Sequence, residues 1–247
     1  LADYVPEAPF GSALLQDLLS HSAGIAAEPA GPWWERAQGG SFEQLAQENC
    51  EAPPLAEPGE MLLYSNLAYA LLGEAVARAR GSSWEDLVST RILQPLGMTR
   101  TTVHPVEPHA QGYSVDHFRG TLTPEPASDT AAMAPAGQLW STLADLATYS
   151  EFVMRGHPEV LEMHWLALMS TPHAPGGSYG LGFHLVPTAS GLLVGHTGTM
   201  PGFMAKLQTN RSTATAAIVL ANGTVGLDPN GLTERMLATT GLREPAQ

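Results

Sequence analysis

The 247-residue sequence is poor in cationic side chains and contains a single lysine, Lys206. Lysine and arginine together number 11 against 24 aspartate and glutamate residues, so the formal net charge at pH 7 is −13. Nucleic acids and anionic membrane surfaces are bound through clusters of basic residues. The charge balance therefore argues against both as partners and leaves a small-molecule substrate open.

Cysteine is equally scarce, since Cys50 is the only one in the chain. A single cysteine excludes an internal disulfide and gives no indication of the cellular compartment. A catalytic cysteine needs a thiolate that is stabilised by nearby positive charge. The sequence neighbours Glu48 and Glu51 are acidic, and we therefore interpret Cys50 as a bystander.

Long apolar runs and metal-binding patterns are also missing. No run of 18 or more apolar residues occurs, so no segment is predicted to span a membrane. The localisation stays open between secreted, periplasmic and cytoplasmic. Five potential ligands between residues 99 and 135 have neither i,i+4 spacing nor a His-Glu-x-x-His pattern: His104, Glu107, His109, Asp116 and His117. We predict no metal site and no cofactor.

The hydrophobic period changes along the chain from helical to strand-like. Helices are predicted near 14–19, 42–49, 66–80, 83–95, 142–156, 158–169 and 232–239, and strands at 179–186, 192–196, 203–209 and 214–221. Helices followed by consecutive strands predict an α+β fold with the site between the two parts. We divide it into a mainly helical part, 1–175, and an antiparallel sheet with a C-terminal helix, 176–247, together one catalytic domain.

Two short polar stretches mark the chain. Tyr64-Ser65-Asn66 follows a Pro-Gly turn and opens an apolar helix, which alone is typical of a helix N-terminus capped by Ser65 or Asn66. His196-Thr197-Gly198 follows a predicted strand, which alone is typical of a strand end. Neither stretch alone indicates a catalytic function.

The two stretches resemble the motifs of the penicillin-recognising serine hydrolases: class C β-lactamases, serine DD-peptidases and related esterases. The three family motifs are Ser-x-x-Lys, Tyr-x-Asn and Lys/His-Thr-Gly, and Tyr64-Ser65-Asn66 and His196-Thr197-Gly198 match the second and third. Residues 18–24, 95–98 and 136–142 also agree with the family pattern. His21 lies between two serines, but no Gly-x-Ser-x-Gly elbow surrounds it, so we interpret it as structural.

The resemblance implies a role for each matching residue. The implied catalytic residues are Tyr64, Asn66, His196 and Thr199, and the implied substrate-binding residues are Ser65, Thr197 and Gly198. Tyr64 would relay the proton of the nucleophile, and the Thr199 amide would donate to the oxyanion. A tyrosine, with a pKa of about 10, acts as a base at neutral pH only beside positive charge. The family lysine would supply that charge, and a protonated His196 could add to it.

The first motif is absent, because Phe203 stands three residues before the only lysine. In the family the nucleophile precedes the segment that resembles residues 1–6 by roughly 25 residues. We therefore expect this sequence to be the back part of a longer protein and to be inactive alone. One alternative is a non-catalytic binding protein that has lost its nucleophile. Another is a fold completed by a separate chain, in which case this chain would be poorly soluble alone.

The substrate class follows less directly from the sequence. By resemblance, the substrate is an ester, amide or peptide that is cleaved through an acyl-enzyme. A site for a carboxylate-bearing substrate favours arginine or lysine, whereas the stretch from Tyr179 to His184 contains neither. This favours an ester or small amide over peptidoglycan peptides and β-lactams. The sequence does not indicate an oligomeric state.

Overall fold

The computed structural model describes residues 1–8, 10–116, 118–224 and 226–240, without the side chains of residues 239 and 240. The helices are α1 (Leu15–Leu19), α2 (Phe42–Asn49), α3 (Asn66–Arg80), α4 (Trp84–Val88), α5 (Gln94–Leu96), α6 (Ala134–Gly137), α7 (Leu143–Arg155), α8 (Met163–Met169) and α9 (Pro229–Thr240). The strands are β1 (Tyr113–Asp116), β2 (Thr121–Pro124), β3 (His184–Thr188), β4 (Gly191–Met200), β5 (Phe203–Asn210) and β6 (Thr215–Ala221). The predicted α+β class is confirmed.

Helix α3 forms the centre of the helical part and has the predicted bounds. The Ser65 hydroxyl caps it by accepting a hydrogen bond from the Ala68 amide at 3.0 Å, and Gly81, with φ of 63°, ends it. Leu67 and Leu71 are almost fully buried in the main apolar cluster. Burying each such side chain stabilises the fold by about 1.5–3 kcal/mol, so packing holds this helix in place.

The larger sheet has the order β3-β4-β5-β6 and is antiparallel throughout, which confirms the predicted meander. Val153 of α7 packs in one apolar cluster with Val194 of β4. The next residue of β4 pairs with Gln208, whose side chain accepts a hydrogen bond from the Thr233 hydroxyl of α9 at 3.0 Å. Because successive strand residues face opposite sides, α7 and α9 cover opposite faces of the sheet.

Strand β4 is longer than the sequence indicated and extends past its neighbour. The pairing of β3 with β4 ends at His184 and Gly195, whereas β4 continues to Met200. Residues 196–200 pair with β5 on one side and have no β3 partner on the other. The third motif therefore lies on a free strand edge.

Three predictions about the elements were wrong. Pro95 does not end the fourth helix, because a π-helical segment, Ser89–Leu93, leads into α5 and the proline occupies its first turn. Pro158 does not start a helix, because residues 157–161 form a turn closed by a His157–Leu161 bridge, and α8 begins at Met163. Tyr179 makes only an isolated bridge with His184, and β3 begins at His184.

The stretch from 99 to 135 is less irregular than predicted. It contains the β1–β2 hairpin, and Tyr113 also bridges to Gly223 beyond β6. Helix α7 belongs to 1–175 by sequence but packs on β5 and β6, and the division at residue 175 stays a prediction. No described helix has the length and apolar character needed to cross a membrane. Within the described ranges, no group of three His, Cys, Asp or Glu is placed to hold a metal. His117 lies outside the described residues.

Candidate active site

A cavity of about 600 Å³ lies between the helical part and the free edge of β4. Residues from both motifs line it: Tyr64, Asn66, His196, Thr197, Gly198 and Thr199. Of the seven residues predicted from the sequence, only Ser65 is not part of the lining. The fold therefore brings the two motifs to one place, although they are far apart in the chain.

Tyr64 precedes α3 and is 40% exposed towards the cavity. Its ring lies 4.1 Å from the ring of His21 and 6.1 Å from that of His196, measured between centroids. Burial raises the pKa of Tyr64, and the negative charge of Glu28 raises it further. The phenol is therefore protonated at neutral pH in this chain.

The first residue of α3, Asn66, is held by a carboxylate. Its Nδ2 donates to Glu28 Oε1 at 2.8 Å, and Glu28 Oε2 accepts from Trp34 Nε1 at 2.6 Å. Glu28 thus ties the second motif to a cavity-lining tryptophan. No sequence pattern pointed to Glu28, because its partners lie elsewhere in the chain.

The Ser65 side chain caps the helix and is not part of the cavity lining, and its predicted role in substrate binding stays a prediction. It is 1% exposed. Its hydroxyl accepts from the Ala68 amide and donates to the Ala26 carbonyl at 2.7 Å. Both capacities of the hydroxyl are used, so this side chain positions Tyr64 and Asn66 on either side of it.

His196 is hydrogen-bonded through both ring nitrogens. Nε2 lies 2.8 Å from the Tyr179 hydroxyl, and Nδ1 contacts the carbonyl oxygen of Thr197. Burial lowers the pKa of His196, and the nearby charge of Lys206 lowers it further, against the opposing effect of the Thr197 carbonyl. His196 is therefore neutral near pH 7 and does not add the positive charge that Tyr64 would need as a base.

The residues that follow His196 form the open edge of the cavity. A side chain at Gly198 would make only an ordinary contact, 3.6 Å from the Cβ of Ala205. The protein itself therefore leaves room at this position, as expected for a strand that a ligand approaches closely. The oxyanion role of the Thr199 amide stays a prediction.

The remaining walls of the cavity are largely apolar. Trp140 makes an edge contact with Phe203, with ring centroids 5.1 Å apart, and Trp34, Met200 and Leu220 also line the cavity. Glu35 is the one charged side chain in the described lining, and burial raises its pKa. Since the described lining includes neither lysine nor arginine, it offers a carboxylate no cationic partner.

His184 is a lining residue that the sequence interpretation missed. Its ring lies 4.6 Å from that of His196. Burial lowers the pKa of His184 to about 4, and the charges of His196 and Lys206 contribute. The sequence offered one signal of a histidine near the site, because His184 ends the Tyr179–His184 stretch, which contains no lysine or arginine.

Two known proteins are similar to this chain in sequence. The chain is 25% identical over 227 residues to a protein named as a penicillin-binding protein, PbpX of Bacillus subtilis, covering 90% of this chain and 54% of PbpX. It is 31% identical over 132 residues to the D-alanyl-D-alanine-carboxypeptidase/endopeptidase AmpH of Escherichia coli, covering 52% of this chain and 31% of AmpH. This chain thus spans about half of PbpX and a third of AmpH.

A solved structure extends the likeness to three dimensions. The octameric penicillin-binding protein homologue from Pyrococcus abyssi superposes with a TM-score of 0.83 at 26% identity, covering 96% of this chain and 58% of that one. The model of the Beta-lactamase family matches residues 1–240. The chain belongs to the Beta-lactamase family, that of the penicillin-recognising serine hydrolases, and has a hydrolase fold of this type.

Proposed function

We propose that this chain carries the substrate cavity and the proton-handling tyrosine of a serine hydrolase that cleaves an ester or amide through an acyl-enzyme. The observation that supports this most is that Tyr64 and the free edge of β4, with Thr197 to Thr199, line one cavity. Beside a nucleophile, acyl transfer uses a group that transfers the proton and donors for the oxyanion, and a tyrosine and the amides of a strand edge can serve as these.

The reaction needs a serine and a lysine outside this chain. The serine oxygen would bond to the substrate carbonyl carbon, its proton would pass through Tyr64 to the leaving group, and the bond between that carbon and the leaving group would break. Water would then attack the acyl carbon, release the acid and return a proton to the serine oxygen. Because burial and Glu28 keep the Tyr64 phenol protonated, an added lysine is needed to lower its pKa. The isolated chain is therefore inactive.

The cavity favours substrates that lack a carboxylate near the scissile bond. AmpH is named for peptidase activity on D-alanyl-D-alanine, and this supports an amide or peptide bond as one option. The apolar walls and the lack of a described cationic lining residue instead favour a neutral ester or small amide. We therefore propose an ester or amide with an apolar acyl group.

A second candidate is a binding protein that holds a similar ligand without cleaving it. Two observations favour it: this chain contains no Ser-x-x-Lys, and Asn66 is already engaged by Glu28. The two candidates predict different responses to a reagent that labels active serines.

The test is the intact mass of the protein from its source, before and after treatment with a fluorophosphonate probe. We expect a mass above 26.1 kDa and one adduct on a serine within Ser-x-x-Lys. In that protein, Tyr64→Phe should slow hydrolysis of a p-nitrophenyl ester by about 10²-fold or more, since it removes a proton-transfer group. Tyr149→Phe, at a position that does not line the cavity, is the matched control. A mass near 26.1 kDa without an adduct would favour the binding protein.

A further inference from the structure

A chain of hydrogen bonds runs through the buried region between the two motifs and connects them. The backbone amide of Ser65 donates to Nδ1 of His21 at 3.0 Å. Nε2 of His21 lies 3.1 Å from the Tyr179 hydroxyl. That hydroxyl lies 2.8 Å from Nε2 of His196, whose Nδ1 contacts the Thr197 carbonyl oxygen.

The donor-to-acceptor direction of these hydrogen bonds is fixed at the Ser65 end. A backbone N–H can only donate, so Nδ1 of His21 must be an acceptor without a proton. A neutral His21 then carries its proton on Nε2 and donates to the Tyr179 oxygen. The Tyr179 hydroxyl has one proton of its own. Nε2 of His196, 2.8 Å away, is positioned to accept it, and the Tyr69 oxygen is a competing acceptor for the same proton.

The Thr197 end is compatible with the same direction. A carbonyl oxygen can only accept, so its contact with Nδ1 of His196 is a hydrogen bond only when Nδ1 carries a proton. In a neutral imidazole Nε2 is then free to accept, which is what the Tyr179 hydroxyl requires. The two ends give the same donor-to-acceptor direction, and each donor in this series of hydrogen bonds meets an acceptor.

The surroundings of His21 and His196 favour uncharged imidazole rings. His21 is 2% exposed and Tyr179 is 1% exposed, and the rings of Tyr64 and Tyr69 pack on His21 at 4.1 and 5.0 Å. His184 lies against His196, and the charge of Lys206 opposes a second positive charge there. Burial lowers the pKa of His21 to about 3.

We propose that Tyr179 is a positioning residue that holds His196 in the Nδ1–H tautomer. With both ring nitrogens engaged, His196 fixes the Thr197 carbonyl at the edge of the cavity and carries no proton to or from a substrate. The histidine of the third motif would then have a structural role, linking this edge through Tyr179 and His21 to the Ser65 amide, next to Tyr64. The consequence for catalysis rests on the proposed function, whereas the tautomer does not.

The test is ¹⁵N NMR of the histidine side chains in the 247-residue chain at pH 7. The chain has nine histidines, so the signals of His21 and His196 are assigned with His→Asn variants. We expect a protonated Nδ1 in His196 and a protonated Nε2 in His21. A protonated Nε2 in His196, or a charged imidazolium, would overturn the proposal without any need for a Tyr179 variant.

The variant Tyr179→Phe removes the central hydroxyl and keeps the ring. We expect the His196 signals to change from one tautomer to an averaged pattern, while His21 keeps its Nε2 proton because the Ser65 amide still occupies Nδ1. Tyr149→Phe also removes one hydroxyl from a tyrosine and should leave both histidines unchanged. If Tyr179→Phe folds and His196 keeps its pattern, Tyr179 does not set the tautomer and the proposal fails. If the variant does not fold, the wild-type spectrum decides.

Discussion

Burial, rather than ion pairing, sets the charge state of the titratable side chains around the cavity. Desolvation is the largest cause of the lowered pKa values of His21, His184 and His196 and of the raised pKa of Tyr64. All four shifts favour the uncharged form, as expected for groups removed from water. The tyrosine and the three histidines are therefore uncharged at neutral pH, so the positive charge that Tyr64 would need as a base does not come from these histidines.

The lowered pKa of His21 makes the stability of the chain depend on pH. Its pKa falls from the ordinary 6.5 to about 3 on folding, so the unfolded form binds more protons between these values. The contribution is fully present above pH 6.5 and is lost progressively as the pH falls towards 3. We expect His21 to contribute a slope of up to about 1.4 kcal/mol per pH unit in this window.

The measurement is urea unfolding at pH 7 and pH 4.5, compared between the wild type and His21→Asn. Asparagine tolerates the left-handed backbone of this position, where φ is 54°, and its side-chain oxygen can accept from the Ser65 amide. The variant should lose less stability between the two pH values than the wild type does. His164→Asn, at an exposed position, should behave as the wild type. An unchanged pH dependence in His21→Asn would contradict the assignment.

At the scale of the elements, strand β4 shows two glycines with different requirements. A Cβ on Gly195 would lie 1.9 Å from the carbonyl oxygen of Leu207 on β5, whereas one on Gly198 would lie 3.6 Å from Ala205 Cβ. The first position is closed by the neighbouring strand, and the second is open towards the cavity. The same residue type thus serves the sheet at one position and the site at the other.

This difference predicts that two alanine substitutions change the stability of the fold by different amounts. Gly195→Ala should destabilise the fold by roughly 2 kcal/mol or more, because β4 and β5 must separate to admit the methyl group. Gly198→Ala should change stability by less than about 1 kcal/mol. Thermal unfolding of both variants by circular dichroism checks this. Equal melting temperatures for the two would show that the approach of β5 to Gly195 is not as close as described.

The elements that local signals define were the ones predicted well from the sequence. Ser41, Ser65 and Thr142 each cap a helix through a side-chain oxygen, and their positions could be inferred from capping patterns alone. Pro95 was misleading, because a proline ends a helix by default and the π-helical segment before it could not be inferred from periodicity.

Some residues of the candidate site could likewise be predicted from the sequence, and others could not. The motif residues at 64–66 and 196–199 could be predicted because the resemblance specifies their order. Glu28 could not, and Tyr179 could not be linked to His21, because these roles depend on contacts between segments distant in the chain. His184 could not, because its ring contact with His196 depends on how β3 and β4 pair. Ser65 matched the motif, but its hydroxyl accepts from the Ala68 amide of the helix that it caps and donates to the Ala26 carbonyl.

At the scale of the whole molecule, the cavity is formed even though the residues of the first motif are absent from this sequence. Both motifs line a formed cavity in a chain that contains no Ser-x-x-Lys. The 247-residue chain should therefore show no turnover of a p-nitrophenyl ester above the buffer rate, measured by absorbance of the released nitrophenol. Turnover by this chain that is lost in Tyr64→Phe would mean that another nucleophile serves the site.

The link between His21 and Tyr179 joins residues that are 158 positions apart in the chain. At a synthesis rate of about 5–20 residues per second, Tyr179 leaves the ribosome roughly 8–30 seconds after His21. During that interval the Nε2 proton of His21 has no Tyr179 hydroxyl to accept it, and the residues of the third motif have not yet been synthesised. The link between the two motifs therefore forms only after residue 179 has been synthesised, and until then the Nε2 proton of His21 lacks this acceptor.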